Sequence, residues 1–356
     1  MSEPGAAEWR PVDELPRAFG LPACRGVIRA VPEDFEVEEI LGFEPEGEGE
    51  HALLWVEKRG ANTRWVAHRL AEYAGLRVRE VGYSGLKDRH AVARQWFSLR
   101  LAGRPEPDWM ALQSDEFRIL RAVRHRRKLR PGTARGNRFR IVVRDLGGDV
   151  AELERRLSLI AVRGVPNYFG EQRFGNAGGN LERARVLLAG ESGRMDAQRR
   201  GIYLSTARSL LFNQVLAERV ADGSWDQALP GEVLMLDGSH SVFVTEVIDE
   251  TLQRRLREQD LHPTGPLWGN GGKRPSGVAL SREQEALRGF AFWREGLERL
   301  DMAAARRALR LPVQELNWRV GGDGSLVLSF TLPRGSYATA VLHEGLNFSS
   351  ALAAEE

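Results

Sequence analysis

Cysteine is nearly absent: the 356 residues hold one, Cys24. A disulfide within the chain is excluded, and so is a metal site built on thiolates. Lysine is scarce too, occurring only as Lys58, Lys87, Lys128 and Lys273, so nearly all of the 51 basic residues are arginine. Arginine suits planar, bidentate phosphate contacts and stacking, although a genome biased toward arginine and alanine codons explains much of the excess. No apolar run reaches signal-peptide or bilayer length, which makes a soluble cytoplasmic protein the expectation. The spacing His-Glu-x-x-His does not occur. The glycine-rich stretches Gly265 to Gly277 and Gly321-Gly322-Asp323-Gly324 lack the strand–loop–helix setting of a nucleotide fold. Neither an internal repeat nor a low-complexity tract is present. Net charge is only +2, so any argument for nucleic acid must rest on how charge is distributed.

Hydrophobic residues make up 42% of the chain, enough for a real core in one large domain or two ordinary ones. Alternation predicts strands at Val27 to Ile40 (two, around Pro32-Glu33-Asp34), His51 to Lys58, Ala91 to Leu99, Phe117 to Arg124 and Arg138 to Arg144. In the second of these strands Phe35, Val37 and Glu39 share a face. Asn62 or Thr63 caps a helix to Ala74, with Val66, Leu70 and Tyr73 as its apolar stripe. Asp149 caps another that Gly164 ends. Residues 1–22 read as partly loose. Asn180 to Leu188, Ser205 to Val220, Glu250 to Gln259 and Ser281 to Leu300 read as helices, and strand pattern returns at Leu326 to Leu332 and Tyr337 to Leu342. The expected layout is an α+β body of residues 1–163 and 312–356, with a largely helical unit, 164–311, inserted into it.

Chemistry concentrates in Val81-Gly82-Tyr83-Ser84-Gly85-Leu86-Lys87-Asp88-Arg89-His90-Ala91-Val92. Gly82 and Gly85 allow the backbone to turn or to approach another segment closely. Asp88 sits between two cations on a turn bounded by strands. Such a place suits an ionised carboxylate nucleophile, and equally a solvated turn with a local salt bridge. Arg29 is a candidate ion-pair partner for it. A second charge run, Arg124-His125-Arg126-Arg127-Lys128-Leu129-Arg130, joins two strands that are expected to lie side by side, with their arginines pointing outward along a shared rim. Arg126, Arg127 and Lys128 there form the expected phosphate-tracking rim.

Gly85-Leu86-Lys87-Asp88-Arg89-His90-Ala91-Val92 resembles the active-site motif of the TruD family of tRNA pseudouridine synthases. Three further stretches follow in the family's order: Pro166-Asn167-Tyr168-Phe169-Gly170-Glu171-Gln172-Arg173-Phe174-Gly175, Ala207-Arg208-Ser209-Leu210-Leu211-Phe212-Asn213-Gln214, and Leu332-Pro333-Arg334-Gly335-Ser336-Tyr337-Ala338-Thr339. The resemblance runs from about Arg25 to about Leu346. It implies a pseudouridine synthase fold, with a mixed, mainly antiparallel sheet and flanking helices, carrying an inserted TRUD domain. It also implies isomerisation of uridine 13 in the D arm of transfer RNA, with no metal, no cofactor and no obligate protein partner. Asp88 matches the family's catalytic aspartate, while Phe35, Asn137 and Tyr337 match its uridine-binding residues. Tyr337 stands where phenylalanine is expected. Lys87, Arg89 and His90 are expected at the RNA. The Asn167 to Gly175 stretch is either an aromatic-packed junction or a wall of the RNA cleft. Arg208, Asn213 and Gln214 read as helix-to-loop braces. Two other readings remain open: a non-catalytic RNA-binding or RNA-folding protein, and a hydrolase pairing Asp88 with another carboxylate such as Glu80.

Overall fold

A computed structural model describes residues 9–351. The first part of the chain lays down strands β1 (Cys24–Ile28), β2 (Phe35–Leu41) and β3 (His51–Arg59), helix α1 (Thr63–Tyr73), then β4 (Val81–Tyr83), β5 (Val92–Arg100), β6 (Phe117–His125), β7 (Ala134–Gly148) and helix α2 (Val150–Arg163). The middle part carries β8 (Val165–Pro166), α3 (Gly179–Ala189), α4 (Ala197–Ala221), β9 (Glu232–Leu236), β10 (Val242–Thr245), α5 (Glu250–Arg257), β11 (Leu261–Leu267), α6 (Gly277–Ala286), α7 (Ala291–Arg299), β12 (Ala305–Ala308) and β13 (Arg310–Leu311). The chain closes with β14 (Gln314–Val320), β15 (Leu326–Pro333), α8 (Ala338–Gly345) and β16 (Asn347–Ser350).

Packing divides these elements into two compact units. One comprises 23–153, 313–335 and residues from 346 on; the other comprises residues up to 22, 154–312 and 336–345. Compactness and insertion are different criteria. The borders fall near the expected 311/312 but also assign most of α2, the N-terminal segment and α8 to the unit that holds the middle of the chain. Residues 1–8 and 352–356 lie outside the described residues.

The first unit is built on a 10-stranded sheet with the path β14-β15-β7-β2-β5-β3-β6, to which β1, β16 and β4 attach at the sides. Its pairings are antiparallel except β2 with β5 and β1 with β16. The mixed, mainly antiparallel sheet that the family resemblance implies is therefore present. Its register sets the site: Phe35 lies opposite Ile141, Val37 opposite Phe139, and Glu39 opposite Asn137. Helix α1 packs Val66 and Leu70 against Leu54, Val56, Phe97 and Leu99, all fully buried. Burying a side chain of that size contributes roughly 1.5–3 kcal/mol. Tyr73, expected on the same stripe, is exposed and donates its hydroxyl to the Asp108 carbonyl at 2.8 Å.

The second unit is built around α4, whose Leu211, Phe212 and Leu216 are fully buried with Phe174, Leu297 and Leu309. Two expectations are corrected here. The middle of the chain is not simply helical, because β10-β9-β11-β12 form a four-stranded sheet. Strand β11 contains Pro263, Gly265 and Pro266, which read as a connection. Its hydrogen bonds nevertheless close around them, and a side chain at Gly265 would meet Phe212 and Leu309. Tyr337 to Leu342 is not a strand either; it begins helix α8, whose residues from Ala340 to Gly345 are all buried. A helix buried all round has no polar face to betray its period. Residues 9–22 are packed rather than loose: Val12 and Leu15 join the core, Pro16 accepts from the Tyr168 hydroxyl, and the amides of Ala18 and Phe19 bind the Glu344 carboxylate.

Candidate active site

Asp88 lies in the segment between β4 and β5, and each part of it is held. Its Oδ2 accepts from Arg29 Nη2 at 2.6 Å, and its Oδ1 from the His90 amide at 3.0 Å. Its backbone carbonyl accepts from Lys58 Nζ at 2.6 Å. The carboxylate is nevertheless not sealed off, with the side chain 16% exposed. Arg29, the candidate partner, is thus in contact. It follows the end of β1 with φ of 57°, a left-handed conformation that costs a non-glycine residue on the order of 1 kcal/mol. The guanidinium also lies 4.3 Å from the centre of the Phe35 ring. One arginine therefore touches both the carboxylate and the aromatic residue expected to wall a pocket.

Lys87 does something different from its neighbour. Its ammonium lies 3.0 Å from Glu39 Oε2 and donates to Asn137 Oδ1 at 2.6 Å, with only 9% of the side chain exposed. Glu39, on the apolar face of β2, is wholly buried and also accepts from the Ser84 hydroxyl and the Trp96 amide. Asn137, partly buried on the neighbouring strand, has its carbonyl oxygen occupied by Lys87, which leaves the amide NH₂ as the group it can offer to another partner. Thr63 Oγ1 accepts from the Lys87 amide and donates to Gln95 Oε1. Thr63 thus commits its hydroxyl to the motif loop rather than to capping α1. The loop is anchored at Ser84, Lys87 and the Asp88 backbone carbonyl, and each anchor is a polar group held by a buried partner. Low dielectric strengthens such a network only when every member is satisfied.

Lys58 is not among the residues expected at the site. It is completely buried in β3 and donates to the carbonyls of Ala61 (2.7 Å) and Asp88. Burial lowers its pKa to about 8, against the opposing pull of the Asp88 charge. Glu39, Ser84, Thr63 and Gln95 also escape the sequence reading. A signal exists for two of these five: Glu39 shares a face with Phe35 and Val37, and Lys58 shares one with Leu54 and Val56.

The other expected residues scatter. Phe35 is buried, edge-on to Phe139. Arg89 is exposed, with Nε 3.4 Å from the Gly60 carbonyl, and His90 is half-buried. Tyr337 belongs to the second unit, where its half-buried ring stands 6.2 Å from Phe169. Glu80 is engaged by the Arg77 amide and guanidinium, at the end of a short turn. Gly82 must be glycine, since a Cβ there would collide with Leu129, Ser98 and Lys128; Gly85 has open space around it.

The basic rim needs correction. Strands β6 and β7 are not neighbours, being separated in the sheet by β2, β5 and β3. Most of their arginines face carboxylates: Arg118 pairs with Glu57, Arg124 with Glu106, Arg140 with Glu36, and Arg144 with Asp34. Arg126 pairs with Glu46 and Glu48, and Lys128 Nζ donates to the Arg79 carbonyl. Arg127 is exposed, and among the described residues it has no ion pair.

In the second unit, the Asn167 to Gly175 stretch is a packed junction. Asn213 clasps both backbone groups of Phe169, at 2.9 and 3.0 Å. Arg307 stacks 4.1 Å from the Phe169 ring and donates to Asn167 Oδ1, its pKa lowered to about 10 by burial. Arg208 braces the carbonyls of Leu267 and Ala303. Arg208 and Asn213 are thus braces as expected, while Gln214 reaches only Glu218 within its own helix.

Among the described residues, no group of three or more His, Cys, Asp or Glu side chains could hold a metal, and no helix is long and apolar enough to cross a membrane.

Comparison with known proteins agrees with the order of the motifs. The profile of the family described as tRNA pseudouridine synthase D (TruD) matches residues 16–192 and 189–345. The chain is 52% identical to the tRNA pseudouridine synthase D of Methylococcus capsulatus, over 94% of this chain and 95% of that one. It is 48% identical to the protein of the same name from Nitrosococcus oceani, over 91% of each. Its fold is similar to the crystal structure of a Methanosarcina mazei protein described as a candidate TruD, with a TM-score of 0.69 at 21% identity, covering 93% of this chain and 95% of that one. The chain belongs to the TruD family of tRNA pseudouridine synthases.

Proposed function

We propose that this protein is a tRNA pseudouridine synthase that isomerises uridine 13 of the D arm, with Asp88 as its catalytic residue. Pseudouridine formation breaks the N1–C1′ bond, turns the uracil and joins C5 to C1′. The proton on C5 is lost and one is gained at N1, so the RNA keeps its mass and its chain. Asp88 attacks C1′ or the base, or assists removal of the C2′ proton. The observation that carries the reading is the carboxylate itself: held on both oxygens and through its own carbonyl, yet open to a substrate. Preorganisation of this kind lowers a barrier because no reorganisation is needed when charge moves.

Around it, Phe35 walls the pocket, and Asn137 offers its NH₂ to a uracil carbonyl, its own oxygen being held by Lys87. Tyr337 stacks on the everted base, a contact worth roughly 1–3 kcal/mol. Lys87 positions Asn137 rather than meeting RNA; Arg89, His90 and Arg127 are better disposed for phosphate. Eversion costs a few kcal/mol, which phosphate contacts offset. The segment 164–311 is the family's inserted domain, and 1–163 with 312–356 supply the catalytic part. The reaction uses no metal or cofactor, the partner is tRNA, and the compartment is the cytoplasm.

The deciding experiment incubates the protein with unmodified tRNA and maps pseudouridine at nucleotide resolution. One new pseudouridine at position 13, in RNA of unchanged length, is expected. Bound but unmodified RNA would leave a binding protein, and cleaved RNA a hydrolase.

A further inference from the structure

The second unit contains a cavity of about 230 Å³ whose wall includes Trp268, Lys273, Arg274, Arg294 and Glu298. The Trp268 indole is fixed by donating Nε1 to Glu298 Oε1 at 2.9 Å. Two guanidiniums lie over its ring, Arg274 at 5.7 Å and Arg294 at 5.4 Å from the centroid. An arginine held through its face keeps its in-plane N–H groups for another partner. Arg294 has not found one: its Nε is out of solvent with no hydrogen bond, and among the described residues the guanidinium makes no ion pair. Arg274 makes only a 3.4 Å contact to the Gly269 carbonyl. Lys273 Nζ donates to the Val242 carbonyl, leaving two further N–H groups. Arg306 also lines the cavity but is satisfied by Glu283 and Thr264. Glu283 lines the cavity as well, so once the Arg306–Glu283 pair is set aside three cations face one carboxylate, Glu298, that is already engaged with an indole.

We infer that this cavity is a phosphate subsite, and that its occupant is a backbone phosphate of the RNA. A tetrahedral anion with several acceptor oxygens meets converging planar donors and an ammonium better than a carboxylate or a neutral base does. A nucleobase would have to displace a guanidinium from the Trp268 ring. The choice of RNA over free phosphate follows from the rest of the charge. The arginines along the large sheet are mostly paired with carboxylates, whereas these are not. The inference rests on the proposed RNA substrate, but not on the identity of the catalytic residue.

The test is the salt dependence of tRNA binding by the full-length Arg274→Gln/Arg294→Gln variant. Its Kd is expected to rise about tenfold at low salt. The log–log slope should shrink by about 0.9 for each phosphate no longer neutralised, with an unchanged melting temperature. The same weakening is expected in an Asp88→Asn background, and a smaller one for Lys273→Gln alone, which decides the matter if the double variant does not fold. Wild-type affinity and slope in a folded variant would overturn the inference. So would millimolar inorganic phosphate that quenches Trp268 fluorescence (absent in Trp268→Phe) without competing with tRNA, which would make this a free-phosphate site. If the parent makes no pseudouridine but the variant still binds more weakly, the subsite stands and the isomerase reading falls. If pseudouridine forms and affinity is unaltered in the variant, the reverse holds.

Discussion

Two charge runs, Lys87 to His90 and Arg124 to Arg130, look alike on paper and are opposites in the fold. In the first, the two central charges have assigned partners, with only Arg89 left exposed: Lys87 meets Glu39 and Asn137 in a buried setting, and Asp88 meets Arg29 while its carbonyl accepts from Lys58. In the second, Arg126 lies in water and Arg124 half out of it, opposite the acidic side chains of Glu106, Glu46 and Glu48. Exposed pairs contribute little, typically under 1 kcal/mol, and salt screens them. Buried ones cost much to make and more to break singly. The difference lies in what the rest of the chain brings to each run.

The sharpest way to test that contrast is to remove the central charge. Asp88→Asn keeps shape and most hydrogen bonding. Turnover is expected to fall at least about a thousandfold, roughly 4 kcal/mol at the transition state, while tRNA affinity changes little. Single-turnover rates and binding curves on one preparation read both quantities, and near-parental turnover would return the loop to the status of a salt-bridged turn.

Next comes Glu39→Gln, which leaves the Lys87 ammonium buried without its counter-charge. A fall of about 3–5 kcal/mol in unfolding free energy is expected, measured by urea denaturation. Adding Lys87→Met should recover part of it, because the orphaned charge goes too. If Glu39→Gln costs no more than an exposed pair does, the first run behaves as a solvated one and the contrast disappears.

Lys58 gives the comparison a pH dependence. Its folded pKa of about 8 lies below the ordinary lysine value of 10.5. Between those values the unfolded chain binds more proton than the folded one, so stability rises with pH across that window and the gain is lost as pH falls through 8. Relative to Lys58→Met, the parent should gain roughly 3 kcal/mol from pH 8 to 10.5. Parallel stability curves for the two proteins would contradict it.

The sequence makes one half of this contrast legible and hides the other. Strands β1, β2 and β7 are readable because each buries one face, and alternation survives in Phe35-Glu36-Val37-Glu38-Glu39; β3 and β5, buried on both faces, are readable from their density of apolar and aromatic residues. Asp88 stands out through its neighbours and its motif. Nothing local says that Glu39 will lie opposite Asn137, or that β6 and β7 will be parted by three strands; sheet order is set by pairing far along the chain. The four-stranded sheet of the second unit is hidden by proline and glycine in β11, and α8 by its lack of a polar face. Acid partners of the second run come from the loop 44–50 and from Glu106, about 20 to 80 residues away, so the run looks more basic than it is.

The smallest effect separates neighbours within that second run. Arg126 and Arg127 are adjacent, exposed and identical in type, but Arg126 is held by Glu46 and Glu48 while Arg127 is not. A paired guanidinium must give up its carboxylates to reach a phosphate, so its net gain is small. An unpaired one releases a counterion from the RNA at no such cost. Arg127→Gln should therefore weaken tRNA binding a few-fold at low salt and lower the log–log salt slope by about 0.9. Arg126→Gln should leave the slope nearly where it was, since the carboxylates it frees repel the RNA at short range only. Measuring both variants over the same salt series makes each the control for the other. Equal slopes for parent, Arg126→Gln and Arg127→Gln would mean that this loop faces solvent and not RNA. Equal, reduced slopes for both variants would mean that the acidic loop swings away when tRNA arrives, and the contrast between a fixed run and a screened one would have to be redrawn as one between a fixed run and a released one.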